Sequence, residues 1–216
     1  MQFQQQIMGF PPARGKEFDP IPHSGALDSG DDAIPVAQFF DQSFGGWIIL
    51  GGSIIGYEMG TNRKTITGLS IYKQNETGTG SSMTMFNQYI KMAHCTDTFF
   101  PSGTLDPTGA TASAVSLSNI LTLTDETTVF SGTLTFTDPA GEWTDKITFD
   151  TPFEYNGIDN VAMLWINADD SWSSKRYEWG IVAGGSRMLH QESDVIAVEN
   201  MTASRTDEIP QTKFYY

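Results

Sequence analysis

Residues 129–160 constrain the fold of this chain more than any other stretch. They read VFSGTLTF, a short turn, then EWTDKITFDTPFEYNGIDN. In the first run Phe130, Leu134 and Phe136 fall on one side of an extended backbone. In the second, Trp143, Ile147 and Phe149 do the same, which is the two-residue period of a half-buried strand. Between them Asp138-Pro139-Ala140-Gly141 supplies turn residues. The corner that follows is Thr151-Pro152-Phe153-Glu154-Tyr155-Asn156-Gly157. Pro152 has no amide donor and ends the preceding ladder. Phe153 and Tyr155 lie two apart and point to the same side. Gly157 permits a positive φ for the turn into the next strand. That strand, 161–167 (VAMLWIN), is continuously apolar and reads as buried on both faces.

Similar patterns recur along the chain. They occupy 47–55, 64–72 with Leu69 and Ile71 on one face, and 83–92. A short strand is expected at 119–123. In 176–183, Tyr177, Trp179 and Ile181 share a face, and shorter strands are read at 186–190 and 195–200. Residues 74–82 read as a turn-rich loop and 94–118 as a long polar connection. About nine strands at this spacing predict an all-β fold, an antiparallel β-sandwich or jelly-roll-like body. Residues 1–45 differ in composition. They hold five of the ten prolines (Pro11, Pro12, Pro20, Pro22, Pro35), the run Gln4-Gln5-Gln6 and the acidic patch Asp28-Ser29-Gly30-Asp31-Asp32. The division expected is an extended proline-rich assembly arm over 1–45, with a short helix at 36–42, and a β-sandwich domain over 46–216. Such an arm packs on its own domain or on neighbouring subunits, and the neighbours are the preferred reading because an arm that wraps a partner recovers its ordering entropy at the interface.

Charge and composition exclude several function classes. Twenty-six acidic residues against twelve basic ones give a net charge of −14, a surface that repels phosphate backbones, so nucleic-acid binding is not expected. The longest apolar run, 47–57, is short and broken by glycines, so no membrane span is expected. The start MQFQQQIMGFPPARGKEF lacks the basic head and long apolar run of a secretory leader. The single cysteine, Cys95, permits no intrachain disulfide.

Catalytic groupings are sparse. The histidines are His23, His94 and His190, and there is no H-E-x-x-H, G-x-S-x-G or P-loop sequence. His94 and Cys95 are adjacent, and neighbours on a strand point to opposite faces, so they do not form a nucleophile pair. Glu142 and Asp145 flank Trp143 and Glu154 sits in the corner; a glycosidase needs two carboxyls about 5–10 Å apart across a cleft, a separation in space rather than in sequence. No enzymatic activity is expected, and no cofactor beyond a candidate Ca²⁺. Its candidate ligands are Asp28, Asp31 and Asp32 in the arm, and Asp169 and Asp170 after the central strand. The candidate sugar-stacking aromatics are Trp172 and Tyr177, which flank the polar segment 173–176.

Four phrases together resemble a β-sandwich module of Bacteroidetes surface proteins and of structural proteins of their phages. They are the stretch 89–99 with its Ala93-His94-Cys95-Thr96, the Val129-Phe130-Ser131-Gly132 phrase, Trp143 ahead of an alternating strand, and the T-P-F-x-Y-x-G-x-x-N corner ending at Asn160. The resemblance covers about residues 64–182 and carries two expectations. The first is a non-enzymatic structural component of a phage or phage-like particle (decoration, fibre, tail or adaptor protein). It would assemble in the host cytoplasm into a virion, contacting other particle subunits through residues 1–45 as a homo-oligomer. The alternative is a secreted carbohydrate-binding or adhesin module, extracellular or at the cell surface, with a surface glycan as partner.

Overall fold

A computed structural model describes residues 17–18, 30–31, 35–36, 38, 42–51, 61–137, 139–171 and 174–216. Thirteen strands follow in chain order: β1 Glu17–Phe18, β2 Gly30–Asp31, β3 Gln42–Ile49, β4 Lys64–Gly78, β5 Met83–Cys95, β6 Thr104–Leu105, β7 Leu123–Phe136, β8 Glu142–Trp143, β9 Ile147–Tyr155, β10 Asn160–Asn167, β11 Lys175–Ser193, β12 Ala203–Pro210 and β13 Thr212–Tyr215. Two short 3₁₀ turns, Ala112–Ala114 and Val198–Asn200, are the only helical elements among the described residues. The fold is all-β and antiparallel, as the alternating runs predict.

The sheet curls into two layers. One carries β1, β13, β4, β9 and β8, and the other runs β7-β5-β10-β3 to β11, with β12 and β6 beyond. β11 belongs to both. Its first residues, from Lys175 to Trp179, pair with β4, and its last, from Met188 to Ser193, pair with β3. β7 ladders to β5 and β9 to β4, and the outer edges of β7 and β9 approach each other. There the Asp150 carboxylate accepts the Ser131 N–H at 3.0 Å, which satisfies an edge donor that would otherwise invite another strand.

Two apolar clusters follow from the strand period. Between the layers lie Trp47, Leu69, Ile71, Met163, Trp165, Tyr177, Trp179 and Phe214, with Ile147, Phe149, Phe153 and Tyr155 contributed by alternate positions of β9. The opposite faces of β3 and β10 bury Phe44, Ile48, Ala162, Leu164 and Ile166 in a second cluster. This second cluster is the reason β10 reads as apolar throughout: both of its faces are covered.

What covers the second face departs from the sequence reading. The polar connection after β5 supplies Phe100, Leu105, Val115, Leu117 and Leu121 to that cluster, too irregularly spaced to show a period. The strand expected at 119–123 is a turn as far as Leu121, with Leu123 opening the longer β7. Residues 195–200 form a loop and a 3₁₀ turn rather than a strand. The expected loop at 74–82 is mostly strand, since β4 runs on to Gly78 to pair with β11.

The arm needs a larger correction. β3 begins at Gln42, so the boundary at 45 cuts a strand. Val36 and Gln38 are in bends rather than a helix at 36–42; residues 37 and 39–41 lie outside the described ones. The described parts of 1–45 fold back onto this chain's own body. β1 pairs with β13 and β2 with β11. Val36 is buried in the main cluster. Gln38 donates from Nε2 to the Tyr177 carbonyl and accepts the Tyr177 N–H, both at 2.8 Å, so one side-chain amide replaces a strand partner.

Candidate functional site

The polar side chains best placed for chemistry lie at the two ends of the strands, and β-bulges aim them. Between Met92 and His94 on β5 the facing strand β7 carries one extra residue, since these pair with Thr127 and Thr124. Asp125 in that bulge has φ 52°, a left-handed conformation that Asp tolerates. The bulge turns its carboxylate onto the ring of His94, whose Nδ1 donates to the two oxygens at 2.9 and 2.8 Å. On the other side of the ring, Nε2 accepts the Asn156 N–H at 3.0 Å. An amide N–H can only donate, so Nε2 holds a lone pair and the proton sits on Nδ1. The ring is buried against Phe153 and Tyr155, with centroids 4.8 and 6.0 Å away.

An Asp–His pair suggests a general base, but a base needs Nε2 open toward a substrate or nucleophile. Here Nε2 is occupied by the corner backbone. Cys95 points into the second cluster, away from His94, as strand alternation predicts. Its thiol donates to the Asp97 carbonyl at 3.6 Å. Burial, followed by the nearby Asp97 charge, pushes its pKa up to about 12. At pH 8 only about one thiol in ten thousand is then ionised. Iodoacetamide at pH 8 is therefore expected to leave the folded protein unlabelled and to modify Cys95 fully in 8 M urea. Mass spectrometry reads both states, and rapid labelling of the folded chain would refute the placement.

At the opposite end, a second bulge at Phe86 and Asn87 (φ 50°) brings β5 over the loop after β10. Asp169 is buried there. Its Oδ2 accepts the Phe86 N–H at 2.8 Å, and its Oδ1 accepts the Ser171 N–H and hydroxyl at 3.2 and 2.8 Å. Asp170 turns away and accepts from Gln42 Nε2 at 3.0 Å. The structure therefore does not bring the expected pair together as a cation cage: Asp169 anchors a loop and Asp170 anchors the start of β3. Of the arm carboxylates, Asp31 lies in β2, its backbone paired with Trp179. Asp28 and Asp32 lie outside the described residues. Among the described residues no three His, Cys, Asp or Glu side chains converge as a metal site.

Trp172 also lies outside the described residues. Tyr177 is corrected: it is buried between the layers, and its hydroxyl donates to the Phe136 carbonyl at 3.5 Å. The Lys73 and Lys175 ammonium groups lie 5.0 and 5.5 Å from its ring centroid. No face of that ring is left for a sugar. The signal was present in the sequence, because Tyr177 alternates with Trp179 and Ile181.

Two buried cations escaped the sequence reading, Lys73 beside the Tyr177 ring and Lys91. Lys91 on β5 is almost wholly enclosed; its Nζ donates to the Val115 carbonyl at 2.7 Å and lies 3.5 Å from Glu126. Glu126 in turn accepts from the Ser116 hydroxyl at 2.7 Å. The group ties the connection over the second cluster to β5 and β7.

No family model matches the chain, and no curated protein or solved structure gives a match.

Proposed function

We propose that this chain is a non-enzymatic structural component of a phage or phage-like particle, acting through subunit assembly. The observation that carries this reading is where the reactive side chains end. His94 Nε2, the Asp169 carboxylate and the Lys91 ammonium each bind backbone groups of the same chain. They fix loops and strand ends, and a stiff body of this kind suits a passive subunit. The phrases at 129–132 and 151–160 that resemble phage and surface modules support the same reading.

In this proposal the arm works by exchange. β1 and β2 are two residues long and pair with β13 and β11. A neighbouring copy presents the same two edges, so an arm seated on a neighbour retains each contact while linking subunits. Phe18 and Phe214 are Cα partners in this ladder, close enough for a disulfide. The Phe18→Cys/Phe214→Cys variant, oxidised in the assembled state, is expected to give a ladder of covalently linked chains on a non-reducing gel. Closure within single chains, with a monomer mass by light scattering, overturns the proposal. Glycan-array binding by such a monomer would favour the carbohydrate-binding alternative.

A further inference from the structure

We propose that copies of this chain join head to tail, the apolar tip Val195-Ile196 of one copy seating on the outer face of the β13-β4-β8 layer of the next. This rests on the assembly reading above and names the two surfaces that meet.

The tip is exposed but fixed. Val195 and Ile196 are 90% and 46% exposed. Their N–H groups both donate to Ser193 Oγ, at 3.1 and 2.9 Å. The Val198 N–H donates to Gln42 Oε1 at 3.4 Å, and the 3₁₀ turn Val198–Asn200 seats Val198 in the second cluster. A tip already held in one conformation loses less entropy on docking. Residues 191–200 also hold three carboxylates, Glu192, Asp194 and Glu199, and no Lys or Arg. The matching surface is therefore aromatic or apolar and carries cations.

The first layer has such a surface. Lys213 on β13 pairs with Ser70 on β4, and Tyr72 on β4 pairs with Trp143 on β8. Leu69, Ile71 and Phe214 alternate with this set and fill the space between the layers, so the set itself faces outward. Trp143 meets Tyr72 edge to face, with centroids 5.5 Å apart, and Lys213 Nζ stands 4.8 Å from the Trp143 ring centroid. Lys146 lies across Gly68, where an added Cβ would stand 2.5 Å from its Cε. From there its Nζ reaches within 5.3 Å of the Tyr215 ring centroid and donates to Thr67 Oγ1 at 2.9 Å. Half-buried Tyr and Trp rings of this kind favour interfaces. Carboxylates border the face: Glu142 and Asp145 flank Trp143 in the chain, and Glu154 accepts the Thr65 hydroxyl at 2.9 Å. A partner's acid is therefore drawn to the two ammonium groups and not to the rim.

Tip and face lie too far around the body to meet within one chain. The tip follows the end of β11 that ladders to β3 in the second layer, while the face is the outer side of the first. The contact joins different patches of two copies, so repeating it closes a ring or runs on as a fibre.

The test uses two full-length variants with one new thiol each. Ala197→Cys lies beside the tip, and Thr148→Cys lies on the face, across Gly68 from Tyr215. Cys95 is buried in both. Mixed under mild oxidation, they are expected to give the 197–148 linked dimer as the main product, identified by peptide mapping. Val195→Asp in the first variant, at a position too exposed to disturb folding, is expected to abolish that product, and so is Lys146→Glu in the second. The contact is overturned if the mixed dimer is no more abundant than either homodimer, or if either substitution leaves its yield unchanged. The arm is read separately by the Phe18→Cys/Phe214→Cys variant. A ladder there without a preferred mixed dimer here removes this contact and leaves the assembly reading standing.

Discussion

Replacing Trp165 with alanine is expected to cost about 3–5 kcal/mol of folding stability, the range for removing a buried tryptophan from a packed core. Trp165 lies in the middle of β10 with no exposed surface, laddered to Gly45 on β3 and Ile90 on β5. It also fixes a polar chain. Its Nε1 donates to Gln88 Oε1 at 2.9 Å, and Gln88 Nε2 donates to Asn167 Oδ1 at 2.5 Å and to the Phe86 carbonyl at 2.7 Å. Phenylalanine at 165 keeps most of the packing and strands one acceptor, so it should cost about 1–3 kcal/mol. Urea unfolding at 25 °C separates the two variants. An alanine variant within 1 kcal/mol of the parent protein, judged against the approximate spread of single-site effects, would show that this residue does not hold the layers together.

The second large effect is expected at Gly45. A Cβ there would lie 1.8 Å from the Pro35 carbonyl oxygen and 2.8 Å from Met188 Cε. The first clash is with backbone, so alanine must displace the segment that carries Val36 and Gln38. Losing the burial of Val36 and the two Gln38 bonds to Tyr177 amounts to about 3 kcal/mol. Cleavage by a broad-specificity protease should appear at Val36 or Gln38 at concentrations that leave these two positions of the parent chain intact. Gly46→Ala is the matched control. Its Cβ is tightest on the Leu117 Cδ1 methyl at 3.0 Å, a side chain that can shift, and stands 3.5 Å from the Met163 carbonyl oxygen, an ordinary contact. Equal protease resistance in the Gly45 variant would mean that residues 35–38 do not occupy this seat.

The parts of the fold that follow a strict period were legible in the sequence. Ile147, Phe149, Phe153 and Tyr155 point inward as their spacing requires, Gly157 takes the positive φ, and β10 is buried on both faces. The parts that break period were not. Asp125 reaches His94 only because an extra residue in β7 shifts the register, and that shift is a property of two strands distant in sequence. The covering segment over the second cluster looked polar because its five apolar anchors share no regular interval. The arm was readable as irregular from its prolines, but where it docks depends on the bare backbone at Gly45. For the candidate site, the sequence placed carboxylates after β10 correctly but not their directions, which backbone donors of Phe86 and Ser171 decide.

One strand, β11, is laddered first to β4 and then to β3. A hinge between the layers would have to bend β11 within its own nineteen-residue run, at the bulge where Gly185 and Ser186 take φ of 61° and 67° and the ladder to β12 shifts register. Tension applied across the body would therefore run lengthwise through that strand, with backbone ladders resisting sliding on either side of the bulge. The two layers should stretch and fail as one mechanical element instead of parting like the covers of a book.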